Sequence, residues 1–215
     1  MVHRRDHAHG RPAARAFRTA LFRTDHPGSE ARVTDFLRIA ATLFVAISPA
    51  AAAVAAANVP ARLAPRVVVL GAAVAAAAYV AAALGADLLL DAVDIEPETF
   101  RVSAGLVMAV GGLFAVWTGG AGHAGSWEDR WTALFPLALP VLVSPAGLAA
   151  TISHSADGDT GAVIGAAMIV VALAAAAVLA RFGRFGAAAD GIARVSGALL
   201  VVFAGAMIVD GVRAV

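Results

Sequence analysis

The sequence predicts an all-α polytopic membrane protein, with six transmembrane helices arranged as two inverted three-helix repeats. Three observations carry that prediction. Only 14% of the 215 residues are charged, and mean hydropathy is +0.82, whereas a soluble domain carries about 25% charged residues. Six apolar stretches follow one another at roughly 36–57, 67–87, 100–118, 133–153, 161–180 and 192–212, each near the ~20 residues needed to cross a bilayer core. Matching signatures recur in the two halves of this series.

Taken in order, residues 1–32 read as a disordered basic tail, polar and without period, ahead of a six-span membrane domain over 33–215. His3, His7 and His9 read as part of that solvated tail rather than as a metal site. Residues 1–38 hold eight arginines and four acids, +4, and the remainder holds eight arginines and eleven acids, −3, which together give the net +1. The stretch from Val33, VTDFLRIAATLF, looks like an ordinary opening of a first span, so translation is expected to begin near Val33. The first span ends in small residues, but it is longer than a signal-peptide core and belongs to a repeat, so it is read as retained.

Short polar segments separate the spans: NVPARLAPR, DLLLDAVDIEPET, GGAGHAGSWEDRW, HSADGDT and RFGRFGAAADG. Their Gly, Pro, Asp and Asn residues mark turns. Orientation stays open, because the tail's arginines favour a cytoplasmic N-terminus. Arg62, Arg66, Arg130, Arg181 and Arg184, with Arg194 close by, lie in or beside the short loops on the opposite side and favour the reverse.

The repeat rests on two signatures. Ile47-Ser48-Pro49-Ala50 in span one is matched by Val143-Ser144-Pro145-Ala146 in span four. Arg101-Val102-Ser103-Ala104-Gly105-Leu106 opens span three, and Arg194-Val195-Ser196-Gly197-Ala198-Leu199 opens span six. From Pro49 to Arg101 is 52 residues, and from Pro145 to Arg194 is 49. A unit of three spans crosses the membrane an odd number of times, so its second copy enters from the other side. Repeat one covers about 36–118 and repeat two about 133–213.

Each Ser-Pro pair carries a physical meaning. Proline has no N–H and disturbs the carbonyl four residues back, which frees the carbonyls of Val45 and Val141. Proline favours the first helical position and serine the cap before it. Ser48-Pro49 and Ser144-Pro145 are therefore expected to start helices inside apolar sequence. A helix start presents N–H groups to an anion, and irregular backbone in a membrane must face protein or a watery cavity. One such break is more often a plain kink; two in matching positions point to a shared substrate site at Ser48, Pro49, Ala50, Ser144, Pro145, Ala146 and Gly147. Pro136 and Pro140 should make span four the more irregular.

Arg101 and Arg194 are expected to snorkel to the interface, with gating or pairing to Asp91, Asp190 or Asp210 as the alternative. Asp87 stands at the end of span two, on the boundary between membrane and water. Trp117, Trp127 and Trp131 resemble an interfacial aromatic belt. Gly105, Gly111, Gly112, Gly197 and Gly205 supply small faces for close helix packing. No cysteine is present and every basic residue is arginine, so thiolate, Schiff-base and P-loop lysine chemistry have no residues to use. His123 and His154 read as lone loop histidines. An enzyme is not expected, nor any cofactor, metal or nucleic-acid partner. The expected partners are the bilayer and a small-molecule substrate, with homo-oligomerisation left open.

These residues resemble the MarC family of bacterial inner-membrane proteins. Ser48-Pro49 stands where that family has Asn-Pro, and Phe100-Arg101-Val102-Ser103-Ala104-Gly105 is similar to its Phe-Arg-x-x-Gly-Gly. Pro136-Leu137-Ala138-Leu139-Pro140 and Ser144-Pro145-Ala146-Gly147 are similar to its Pro-Leu-Ala-x-Pro and Gly-Pro-Gly. Met207-Ile208-Val209-Asp210-Gly211 is similar to its closing Met-x-x-Asp/Asn-Gly. The resemblance covers about 36–213 and implies a six-span relative of LysE-type exporters in the inner membrane. It departs from the family at Ser48, Ser144 and Ala50.

The function expected from residues and resemblance together is secondary transport of a small neutral amino acid or similar zwitterion. One three-helix half would rock against the other. A non-transporting scaffold or stress-related membrane protein is the alternative from another class, and an exporter of a different metabolite would share the architecture.

Overall fold

A computed structural model describes residues 29–57, 64–119, 142–180, 184 and 186–214. Pro136, Pro140, Trp127, Trp131, His123 and the tail histidines lie outside these residues. The chain divides into two compact units, Met1–Thr34 and Asp35–Val215. Of the first, only 29–34 is described, as the opening of a helix; everything below concerns the second.

The described residues form eight helices and no strand: α1 (Ser29–Ile47), α2 (Pro49–Ala55), α3 (Ala64–Leu84), α4 (Ala86–Val93), α5 (Pro97–Thr118), α6 (Pro145–Ala156), α7 (Thr160–Leu179) and α8 (Ala187–Ala214). Five apolar runs are long enough to cross a membrane: Arg32–Ala55, Pro65–Leu84, Pro97–Thr118, Thr160–Leu179 and Ala187–Ala214. The fourth expected span is described only from Leu142 onward, where its second half is α6. Together they account for six.

These helices bury one side and leave large apolar side chains outside, among them Val69, Leu113 and Val202. That pattern suits lipid and would be costly in water. The first span is the exception. Its apolar window is 61% buried, against 22% for α5, so the first span is the most enclosed of these five.

Loop expectations are corrected at three places: His154 to Ala156 of HSADGDT close α6, the AAADG end of RFGRFGAAADG opens α8 at Ala187, and a further helix forms after α3. Part of DLLLDAVDIEPET folds as α4, which Gly85 separates from α3. Ala86 and Leu90 fall one turn apart and bury, which anchors a short helix where the charge pattern alone suggested a turn. Asp94 closes it in the left-handed region, φ 53°.

Helix contacts follow an exchange pattern. α5 and α8 form the most extensive pair, α2 packs on α7 and α8, α6 packs on α3 and α5, and α3 packs on α7. Exchanging spans one with four, two with five and three with six maps these contacts onto one another, whereas α6 also packs on α7 and α4 without a counterpart of like extent in the first half.

The α5–α8 pair is antiparallel and runs backbone to backbone. A Cβ on Gly112 would stand 2.7 Å from the Gly197 carbonyl oxygen, and one on Gly197 would stand 2.8 Å from that of Gly112. Gly105 meets the Ala204 carbonyl at 3.0 Å, and Gly211 that of Glu98 at 3.0 Å. Small residues allow this approach, and dispersion contact replaces the hydrophobic drive that lipid removes. One glycine departs from its expected role, since Gly205 has nothing within 4 Å, while Gly111 packs on Ala146 of α6 rather than on α8.

Candidate functional site

The two Ser-Pro pairs both begin helices. Pro49 is the first residue of α2 and Pro145 the first of α6, with Ser48 and Ser144 as their caps. The caps differ in backbone. Ser144 is extended, at φ −77° and ψ 142°, as a cap residue prefers. Ser48 is left-handed, at φ 47° and ψ 81°, a region that costs a side-chain-bearing residue roughly 1–2 kcal/mol. The Ser48 amide still donates to the Phe44 carbonyl, 3.0 Å, so α1 runs to the break and then turns sharply into α2.

A single hydroxyl joins the two breaks. Ser144 Oγ accepts from the Gly147 amide at 2.9 Å and donates to the Ala46 carbonyl at 2.9 Å. At the other break the cap is longer: the Ala51 amide reaches Ser48 Oγ at 3.4 Å. Proline removes one first-turn amide from each helix, and the caps take those of Ala51 and Gly147. The amides of Ala50 and Ala146 are the first-turn donors that remain.

Both breaks open on one cavity of about 570 Å³. Val45 to Ser48 line one side, Ser144 to Ala146 another, and Leu106, Val110 and Phe114 of α5 supply an apolar wall. No ionisable side chain lines it among the described residues. Such a space takes a small solute that is largely apolar and is held at a few polar points. Of the expected site residues, Ser48, Ser144, Pro145 and Ala146 line the cavity, while Pro49, Ala50 and Gly147 are buried beside it.

Tyr79, on α3, belongs to this site and was missed from the sequence. It is fully buried and donates to the Leu142 carbonyl at 2.9 Å, just ahead of the break. Its ring lies against Gly147, where a Cβ would collide with the hydroxyl and stand 2.9 Å from Ser144 Oγ. The available signal was that this is the chain's single tyrosine, placed in an alanine-rich span where a phenol needs a partner.

The MarC family model, for integral membrane proteins, matches residues 36–215. The chain belongs to the MarC family. Comparison with curated proteins and with solved structures finds no match. The matched range begins within α1, ahead of the first break, and takes in the rest of α1 and all of α2 to α8 of this MarC chain. The protein is therefore an integral, multi-pass membrane protein.

The remaining expected residues of this MarC protein lie away from the apolar cavity. Arg194 pairs with Asp190 at 2.8 Å and donates to the carbonyls of Val116 and Trp117 at 2.9 and 3.2 Å, closing the end of α5. Asp87 is exposed on α4, past the Gly85 break. Arg101 and Asp210 meet at a second cavity, of about 250 Å³, which is polar and lined also by Arg38, Ser153, His154 and Asp157. There Arg38 pairs with Asp210 at 2.9 Å, and Arg101 with Asp157. His154 is not a loop residue but lies in the last turn of α6.

Proposed function

We propose that this MarC-family protein is a secondary transporter of small neutral amino acids or similar small zwitterionic metabolites in the bacterial inner membrane. The observation that carries the reading is the meeting of both Ser-Pro helix starts at one cavity, tied together by the Ser144–Ala46 hydrogen bond. α6, of twelve residues, offers its first-turn Ala146 amide to a carboxylate; α2, of seven, contributes a shorter dipole. The Val45 carbonyl, which Pro49 leaves without a helical donor, suits an ammonium group. The apolar wall of α5 receives the side chain. A volume of 570 Å³ falls within the ~300–1,000 Å³ of small-molecule sites.

The exchange pattern of helix contacts and the reciprocal Gly112–Gly197 approach support an inverted repeat. They also favour a particular motion. Because α5 of one repeat is packed along α8 of the other, the broken helices move against that pair, rather than one three-helix half against the other.

Proteoliposomes carrying the protein should take up labelled alanine above empty vesicles, and Ser48→Ala or Pro145→Ala should lower that uptake. No uptake across a panel of neutral amino acids would overturn the substrate class. Variants that change only the amount of folded protein would indicate a non-transporting membrane factor.

A further inference from the structure

The polar cavity lies on α1, α5, α6 and α8, which also line the apolar one together with α2. On α8 it reaches Met207, where the apolar cavity reaches Leu200, seven residues or ~10 Å along the axis. On α6 the corresponding residues are Ser153 and Ala146. Between the two spaces these helices contribute residues with at most 1% of their surface exposed: Leu43 on α1, Ala104 on α5, Ala150 and Thr151 on α6 and Ala204 on α8, with the Thr151 hydroxyl satisfied by the Gly147 carbonyl at 2.8 Å. The separating layer is thus thin and built mostly of methyl groups.

Two ion pairs close the polar end. Arg38–Asp210 ties α1 to α8, and Arg101–Asp157 ties α5 to the residue that ends α6. Each joins one helix of a broken span to one helix of the α5–α8 pair. Inside this ring, Ser153 Oγ and His154 Nε2 are buried without a hydrogen-bond partner, and Ser153 is only 2% exposed. Buried polar atoms without partners are costly in the closed arrangement, and both would be satisfied if water entered.

We infer that the polar cavity is the closed mouth of the translocation path and that His154 is the proton-binding site that opens it. The inference rests on the transport reading but not on the identity of the solute. A protonated His154 attracts Asp157, drawing it from Arg101 and releasing α5 from α6. The other charged groups around the cavity are Asp35 and Arg38 on α1, Arg101 on α5, Asp157 and Asp159 between α6 and α7, and Asp210 on α8. Asp87 and Asp91 on α4, which also packs on α6, are exposed and do not line it.

The direction with pH follows from linkage. Burial lowers the proton affinity of His154 in the closed mouth, Asp157 opposes that, and Arg38 and Arg101 add to it. In an open, hydrated mouth the imidazole returns towards its ordinary value of 6.5. The state with the higher pKa gains as pH falls, so acid favours opening, and the closed form is lost as pH drops through that ordinary value and below.

The chain has no cysteine, so single cysteines report without background. Ala150→Cys and, as a second position, Ala104→Cys are reacted with a charged maleimide in open membrane fragments at about pH 8 and about pH 5. Rates are normalised to Gly161→Cys, an exposed site with open space around it. The normalised rate should rise on acidification by up to about tenfold for each unit separating the closed and open pKa values. His154→Gln should abolish the rise, with His154→Phe as a second non-protonating variant. Arg101→Gln should react quickly at both pH values. Equal rates at the two pH values, or a rise that survives in both His154 variants, overturns the inference. Uptake without gated labelling removes this inference and leaves transport standing; gated labelling without uptake of any neutral amino acid leaves the proton-opened mouth standing and removes the proposed solute class.

Discussion

The hydroxyl of Ser144 donates to the carbonyl of Ala46 at 2.9 Å while accepting from the Gly147 amide. One side chain thereby caps a helix in the second half of the chain and satisfies the backbone at the break in the first. Ser144→Ala leaves the Ala46 carbonyl and the Gly147 amide without this partner. Loss of a cap costs about 1 kcal/mol, and an unsatisfied buried carbonyl adds about 1–3. The expected outcome is a lower apparent melting temperature in detergent and weaker alanine uptake, with Ser144→Thr closer to wild type on both.

At Ser48 the determining feature is the positive φ of 47°. Ser48→Ala keeps the unfavourable backbone and loses the cap to Ala51. Ser48→Gly loses the cap as well but is at ease in that region. Thermal stability should therefore fall in the order wild type or Gly above Ala, and Ser48→Val, β-branched, should fall furthest. An alanine variant as stable as the glycine variant would contradict the role given to the backbone.

Gly147 is constrained by Tyr79. A methyl group there meets the Tyr79 hydroxyl and Ser144 Oγ, and overpacking of this kind costs about 1–3 kcal/mol. Gly147→Ala should lower stability measurably. Adding Tyr79→Phe, which removes the hydroxyl, should recover part of the loss even though it gives up the bond to Leu142. Strict additivity of the two substitutions in a double-mutant cycle would count against direct contact.

The helix glycines divide sharply. Gly112→Ala sets a methyl 2.7 Å from a backbone oxygen on α8, whereas Gly205 has open space. Gly112→Ala should destabilise the folded protein. Gly205→Ala should be neutral or stabilising by up to about 1 kcal/mol, the ordinary helix preference for alanine over glycine. Denaturation followed by gel filtration distinguishes them.

Much of this was legible in the sequence, and the reasons for the rest are physical. Span positions follow from apolar length, and the Ser-Pro helix starts follow from the chemistry of two residues. Neither requires knowledge of a partner. The contribution of Tyr79, the pairing of Arg101 with Asp157 and the burial of His154 all depend on residues distant in sequence. The spans give little help there, since α7 from Thr160 to Leu179 is apolar on every side and displays no face. Gly105 and Gly205 look alike in sequence; only one of them meets a neighbouring backbone. The left-handed turn at Ser48 was also hidden, because a serine before proline ordinarily reads as extended.

The backbone contact that runs from Gly105 to Gly112 on α5, against Ala204 to Gly197 on α8, makes those two helices a keel. They come from opposite halves of the chain yet meet backbone to backbone at their glycines, with Val102, Val201 and Ile208 wedged beside the contact, so neither can shift without carrying the other. A covalent staple along the keel should leave transport untouched. A staple from α1 to α8, replacing the Arg38–Asp210 pair, should arrest it. The division of this molecule into working parts therefore cuts across the order of its two halves along the chain.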